Sequence, residues 1–330
     1  MEEQLTEDGT DSNESVIKDI TAEMQKKMSY SYDYIALDGT SIDDIDMDAL
    51  HRFREEMKNH SPDHRWNTIS DKEFMRMTGI MNYRSEQLSV AGLLMFGKEP
   101  AIYIRFPNFK LDYREQTKKG TGWNYRLVTG DGTWNGNIYN FFSAIRTRVP
   151  EGIDKDVQKA VEECLLNALT HADYLGKDLV EVSKFPKTIR ITNSGTFRIP
   201  LKDAMIDGEG TPRNETIARL FFLLGLGNRA GLGMTVIHNV WRQHFARDPV
   251  VFEDVTRQRV TVELPMCNEE KSTVDELIID MIDIDPSVSA VKIAKELKIS
   301  VPTVKNHLKA MKDAGVVQRI GGTRGMWKIV

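Results

Sequence analysis

Apolar residues spaced three and four apart define the longest amphipathic segment of the chain, residues 157–174 (VQKAVEECLLNALTHADY). Val157, Val161, Cys164, Leu165 and Ala168 fall on one face of a helix. Glu163, Asn167 and Thr170 fall on the opposite face, at spacings that let their side chains touch. A carboxylate and an amide in register suit a site. Taken alone, a solvated helix face is the commoner use of such a pair.

The same patterns organise the rest of the chain. Residues 1–40 show no sustained periodicity beyond a short helical stretch at 15–28, and read as an acidic flexible arm. A helix is expected from Ser41 as cap, with Leu50 and Phe53 forming a stripe toward Met57. Ser70 followed by Glu73 predicts a short helix over 71–77. Residues 88–96 are a second apolar segment, 101–111 (AIYIRFPNFKL) read as a strand broken at Pro107, and 118–136 as a loop or hairpin. A helix follows at 137–149. Beyond 174 come strands at 179–185 and 188–192 around Pro186-Lys187, then a turn from Asn193 to Thr196. A glycine-rich loop at 207–214, a helix at 215–224 and the run GLGNRAGLG (225–233) lead into a helix at 234–245. Strands at 250–252 and 259–264 close this unit. The order predicts an α+β fold, with helices on one face of a largely antiparallel sheet.

After a polar linker, helices at 273–283, 288–297 and 301–314 precede two strands, 316–320 and 326–330, joined through Gly321-Gly322-Thr323-Arg324-Gly325. Ser300 caps the third helix, Pro302 sits in its first turn and Gly315 ends it. Three helices and a glycine-tipped hairpin make a winged helix-turn-helix. Four regions result: the arm at 1–40, an α+β connecting region at 41–150, a central α/β unit at 151–266 and the winged helix at 272–330.

Charge sharpens this division. The whole chain carries a net charge of −5, but residues 1–50 hold 14 acids and 3 bases, while residues 286–330 hold 9 bases and 2 acids. A basic C-terminal module beside an acidic N-terminus points to an anionic partner for the former. Thr303, Lys305, Asn306 and Lys309 would face a major groove of double-stranded DNA, and Arg324 at the wing tip an adjacent minor groove. Winged helices also serve as protein-interaction modules. No apolar run reaches the ~18 residues of a membrane span. The acidic, polar N-terminus is no signal peptide, and the two cysteines, Cys164 and Cys267, form no metal spacing. These features suggest a reducing cytoplasm.

In the central unit, Gly231 and Gly233 directly before a helix could admit a phosphate against exposed N–H groups, or serve close helix packing. An amide such as Asn167 can ligate Mg²⁺, and a carboxylate such as Glu163 can activate water. No G-x-x-x-x-G-K-[ST] motif occurs, so a P-loop helicase is excluded.

Together, the segments EECLLNALTHADY (162–174), ITNSGTFRIPL (191–201) and TPRNETIARLFFLLGLGNRAGLG (211–233) resemble the Bergerat-type ATP-binding fold of the GHKL superfamily. With FPNFKLDYRE (106–115) and DGTWNGNIYNFF (131–142), they resemble more closely the RecG-like C-terminal ATP-binding proteins, which often accompany a Schlafen-AlbA domain. That domain is not expected here, since the chain begins in what reads as the connecting segment. The resemblance implies a GHKL-like α/β sandwich that binds ATP and Mg²⁺. It implies Glu163 as general base and Asn167 as Mg²⁺ ligand. Asn193, where most relatives keep an Asp, would take the adenine amino group, with Gly195 as the accompanying glycine. Arg213 and Asn214 would lie in the lid loop, and Gly231 and Gly233 at the phosphates. Phe197 stands where a second glycine is usual. The expectation is an ATP-binding, DNA-binding transcriptional regulator, with a homodimer as one route of nucleotide control. An ATPase using Glu163 and an interaction scaffold with a degenerate pocket are the alternatives.

Overall fold

The computed structural model describes residues 31–116, 122–149, 153–176, 180–198, 200–201, 212–227, 233–245, 247–266, 274–321 and 325–329. Helix α1 (Met47–His60) buries Ala49, Leu50, Phe53 and Met57, and Asp46 caps it by accepting from Ala49 N at 3.1 Å. Ser41 instead caps a short 3-10 turn, Ile42–Asp44, so the helix begins later than its first capping residue suggests. Helix α2 (Asp71–Thr78) starts at Ser70 as expected, and α3 (Val90–Phe96) is buried along its whole length.

The expected strand at 101–111 is corrected. Residues Glu99–Arg105 form helix α4, with Pro100 in its first turn and only Ile102 buried, and strand β1 begins at Leu111 (Leu111–Glu115). The continuous apolar run at 101–104 packs as a helix and pairs with no strand. β1 escaped notice because it carries charge. Asp112 is fully buried, accepting from Arg114 Nη2 at 2.8 Å and from Arg126 Nη2 at 2.7 Å. Burial works against its charge, and the two guanidiniums outweigh burial, holding the carboxyl below the usual range.

Arg126 lies on β2 (Tyr125–Val128). Helices α5 (Ile138–Ile145) and α6 (Lys155–His171) follow, then β3 (Val180–Phe185), β4 (Thr188–Ser194), α7 (Glu215–Leu223), α8 (Gly233–His244), β5 (Val250–Asp254) and β6 (Arg259–Pro265). The six strands form one sheet in the order β2-β1-β3-β4-β6-β5. It is mixed: β1 runs parallel to β3, with Leu111 opposite Val180, and the other neighbours are antiparallel. Two strands of the connecting region therefore extend the sheet of the central unit. One apolar core runs through both, from Ile45 to Leu264.

The winged helix has its own core. Helices α9 (Val274–Ile284), α10 (Ala290–Leu297) and α11 (Val301–Asp313) gather Ile278, Ile282, Ile293, Val304, Leu308 and Met311, and the hairpin of β7 (Val317–Ile320) and β8 (Met326–Ile329) completes it. Ser289 and Ser300 cap α10 and α11. None of the described helices is long and apolar enough to cross a membrane.

The first 30 residues, including the helical stretch at 15–28, lie outside the described residues. Residues 31–40, grouped with the arm by composition, are packed: Ser31 and Asp33 are buried and Ala36 pairs with Ser89.

Candidate functional site: a cavity between α6, the sheet and α8

A cavity of about 660 Å³ lies between α6, α7, the start of α8 and strands β4, β5 and β6. Glu163 and Asn167 reach it from α6, Asn193 from β4 and Gly233 from α8. These are residues that the sequence separates by up to 70 positions.

The contact between α8 and α6 explains Gly233. A Cβ there would lie 2.8 Å from both Asn167 Nδ2 and Glu163 Oε1. Only glycine lets the helix start come so close to this polar pair without displacing it. Both side chains are half-buried on a helix whose opposite face is core, so their positions are fixed by packing. Neighbouring Cys164 is buried, and burial and the Glu163 carboxylate push its thiol up to about 12, which makes it inert.

At the other end of the cavity, Asn193 is buried and its Nδ2 donates to Ser194 O at 2.9 Å, leaving its carbonyl oxygen as the group available to a ligand. Gly195 adopts φ +92°, and a Cβ there would meet Arg213 Nη2 at 3.1 Å. Arg213 uses this space to donate to His171 O at 3.1 Å and Thr196 O at 3.0 Å, joining the end of α6 to the turn after β4. Burial, then the guanidiniums of Arg213 and Arg198, push His171 down to about 4, so its imidazole is neutral at physiological pH.

Asn214 is not a cavity residue. It is fully buried, and its Nδ2 donates to Thr170 O at 3.0 Å and Ala172 O at 2.8 Å, satisfying carbonyls at the end of α6. Turned toward α6, its side chain makes no cap for α7, and a distant segment does so. Asp33 Oδ2 accepts from Ile217 N at 2.9 Å, and Ser31 Oγ accepts from Glu215 N at 2.9 Å while lying 2.5 Å from Asp33 Oδ1. Burial raises the Asp33 carboxyl above its usual value. Tyr34 of the same segment and Arg198 and Arg219 line the cavity. These residues were missed, and for Asp33 no local signal exists, because its partner is 184 positions away.

Of the expected residues, then, Glu163, Asn167, Asn193, Arg213 and Gly233 line one cavity, Gly195 supports it from behind, and Asn214 faces elsewhere. Gly231 and residues 207–211 of the glycine-rich loop lie outside the described residues. In the winged helix, Lys305, Asn306 and Lys309 are exposed on α11. Thr303 is half-buried with its hydroxyl 2.7 Å from Ser300 Oγ, in the cap of that helix. Arg324 is outside the described residues.

The residues present fit a magnesium nucleotide. An amide and a carboxylate share one end, a helix start without a side chain adjoins them, and three arginines stand on the walls.

Fold and site define an α/β domain of ATPase type followed by a winged helix-turn-helix. Residues 177–264 match the family described as "Putative ATP-dependent DNA helicase recG C-terminal", and residues 272–318 match "Winged helix-turn-helix DNA-binding". Residues 21–112 match a "Domain of unknown function (DUF8451)". The first match begins after α6, so Glu163 and Asn167 stand on geometry. No curated protein matches the sequence. Among solved structures, the DIP2311 protein from Corynebacterium diphtheriae is similar, with a TM-score of 0.57 and 16% identity. The likeness covers 91% of this chain and 55% of that one, so the chain spans about half the length of that protein. At this identity the likeness is one of fold.

Proposed function

We propose that the chain binds Mg²⁺–ATP in the cavity and double-stranded DNA through α11, and that nucleotide occupancy modulates DNA binding, as in a transcriptional regulator. The observation that carries this reading is the meeting of Glu163, Asn167 and Gly233 at one end of the cavity. Asn167 would hold the metal, which when bound neutralises phosphate charge. The backbone at the start of α8 would face the phosphates, and the carbonyl of Asn193 would accept from the base amino group. Lys305 and Lys309 would contact DNA phosphates, and Asn306 a base edge.

Titration calorimetry with ATP and Mg²⁺ tests the pocket: heat saturating at micromolar concentration is expected, and its absence overturns the reading. A mobility-shift assay with and without ATP tests the coupling. Sedimentation with nucleotide tests the homodimer.

A second reading, hydrolysis, is favoured by the position of Glu163 beside Asn167. If Glu163 is the base for water, Glu163→Gln abolishes phosphate release and leaves nucleotide affinity intact. Equal phosphate release by both forms would remove Glu163 from that role.

A further inference from the structure

The charged residues of this protein fall into two populations. In the large unit, many arginines are paired with acids, as Arg54 with Asp71, Arg126 with Asp112, Arg146 with Glu56 and Arg190 with Glu263. In the winged helix, Lys295, Lys298, Lys305, Lys309 and Lys312 are exposed, and none forms an ion pair among the described residues. Three acids of this module are already paired, Asp275 with His307, Glu276 with Lys187 and Asp285 with Lys292. Helices α10 and α11 thus carry five lysines against two acids, Glu296 and Asp313, a basic face without enough acidic counterpart in its own fold.

The counterpart exists in the sequence. Residues 1–30 carry eight acidic and three basic side chains. Their downstream end is fixed: Ser31 and Asp33 are clasped to the start of α7. Thirty residues can span up to about 100 Å, so reach does not limit where the segment goes. A tether of this kind gives an effective concentration on the order of millimolar at any site within reach. A net charge of −5 on that tether complements a surface cluster of lysines that form no ion pair among the described residues.

We propose that the first thirty residues dock on the basic face of α10 and α11 and compete with DNA for it. This rests on the DNA-binding reading only in its second half. The contact itself is a property of the chain. DNA must displace the segment, and salt weakens both contacts. Because the clasp that holds the segment also caps α7 on the cavity wall, the competitor is anchored on an element of the nucleotide site.

The test uses the full-length chain. In one form, all eight acids of residues 1–30 are replaced by the corresponding amides, which frees the basic face without shortening the protein. A fluorescent peptide of residues 1–30 is titrated onto this form, with and without Lys305→Glu and Lys309→Glu. The same form and the unaltered chain are then titrated with a DNA duplex. Binding of the peptide at micromolar concentration in low salt is expected, weakened at least about tenfold by the lysine reversals. The amide form is expected to bind DNA at least about tenfold tighter than the unaltered chain, with the gap closing as salt rises. A peptide that does not bind, or binds equally well after the lysine reversals, overturns the proposal whatever happens with DNA. Equal DNA affinity of the two forms overturns the competition. Lysine-dependent peptide binding with no DNA binding by either form leaves the intramolecular contact standing and removes the DNA reading instead. In that case the basic face serves an acidic protein segment.

Discussion

The cavity unit and the winged helix solve the same problem, presenting polar groups on an apolar scaffold, in opposite ways. The winged helix closes its core within residues 274–329 and carries its candidate contacts on the exposed face of one helix. The cavity unit assembles its site from α6, β4, α7 and α8, and satisfies buried polar groups over long distances, as Asn214 does for α6 and Asp33 for α7. In the first, function is laid over stability and can be altered without touching it. In the second, the groups that shape the site also hold the fold.

The largest expected effect is at Asn214. Asn214→Ala removes the side-chain donor from Ala172 O and leaves Thr170 O with only the backbone N–H of residue 214, and is expected to destabilise the large unit by about 2 kcal/mol in urea unfolding. Unfolding of the winged helix, followed by Trp327, should not move. A common shift of both transitions would break the contrast.

Gly233→Ala comes next. Its Cβ would displace Glu163 and Asn167, and nucleotide affinity by calorimetry should fall about tenfold or more, with little loss of stability beyond that displacement. Unchanged affinity would show that the cavity end is not set by this contact.

Asp33→Asn should cost about 1 kcal/mol through the weakened cap of α7. Its pH dependence has a definite sign. Burial raises the folded-state pKa, so the stability contributed by this group is present in acid and lost as pH rises through that raised value. The gap between the native chain and Asp33→Asn should therefore be widest near pH 4 and narrow toward pH 7. Asp112, held below its usual range, has the opposite sign, and its contribution is lost as pH falls below about 4. A gap for Asp33→Asn that grows with pH would refute the clasp.

The smallest effect on stability is expected at Lys305→Ala and Lys309→Ala, within about 0.5 kcal/mol. Each should nonetheless weaken DNA binding similarly for all sequences and lower the slope of log affinity against log salt by about one. Destabilisation by these two changes would place them in the second class of residue rather than the first.

Legibility in the sequence follows the same line. Helix α6, the β3–β4 hairpin and all five winged-helix elements are set by short-range periodicity and caps such as Ser289 and Ser300, so they were readable. The helix at Glu99–Arg105 and the strand at Leu111–Glu115 were not, because a short continuous apolar run suits helix and strand alike and a charged strand was neutralised by Arg126 from its neighbour.

By itself the sequence determined which face of α6 is polar, that Glu163 and Asn167 lie in register, and that a basic three-helix module ends the described chain. Spacing on a helix is a local property and needs no partner. Only the tertiary structure decided that Gly233 touches that pair, that Asn214 serves α6 rather than the cavity, and that Ser31 and Asp33 cap α7. Buried donors and acceptors must be matched wherever the fold brings them together, and nothing in a residue's neighbours along the chain says where that will be.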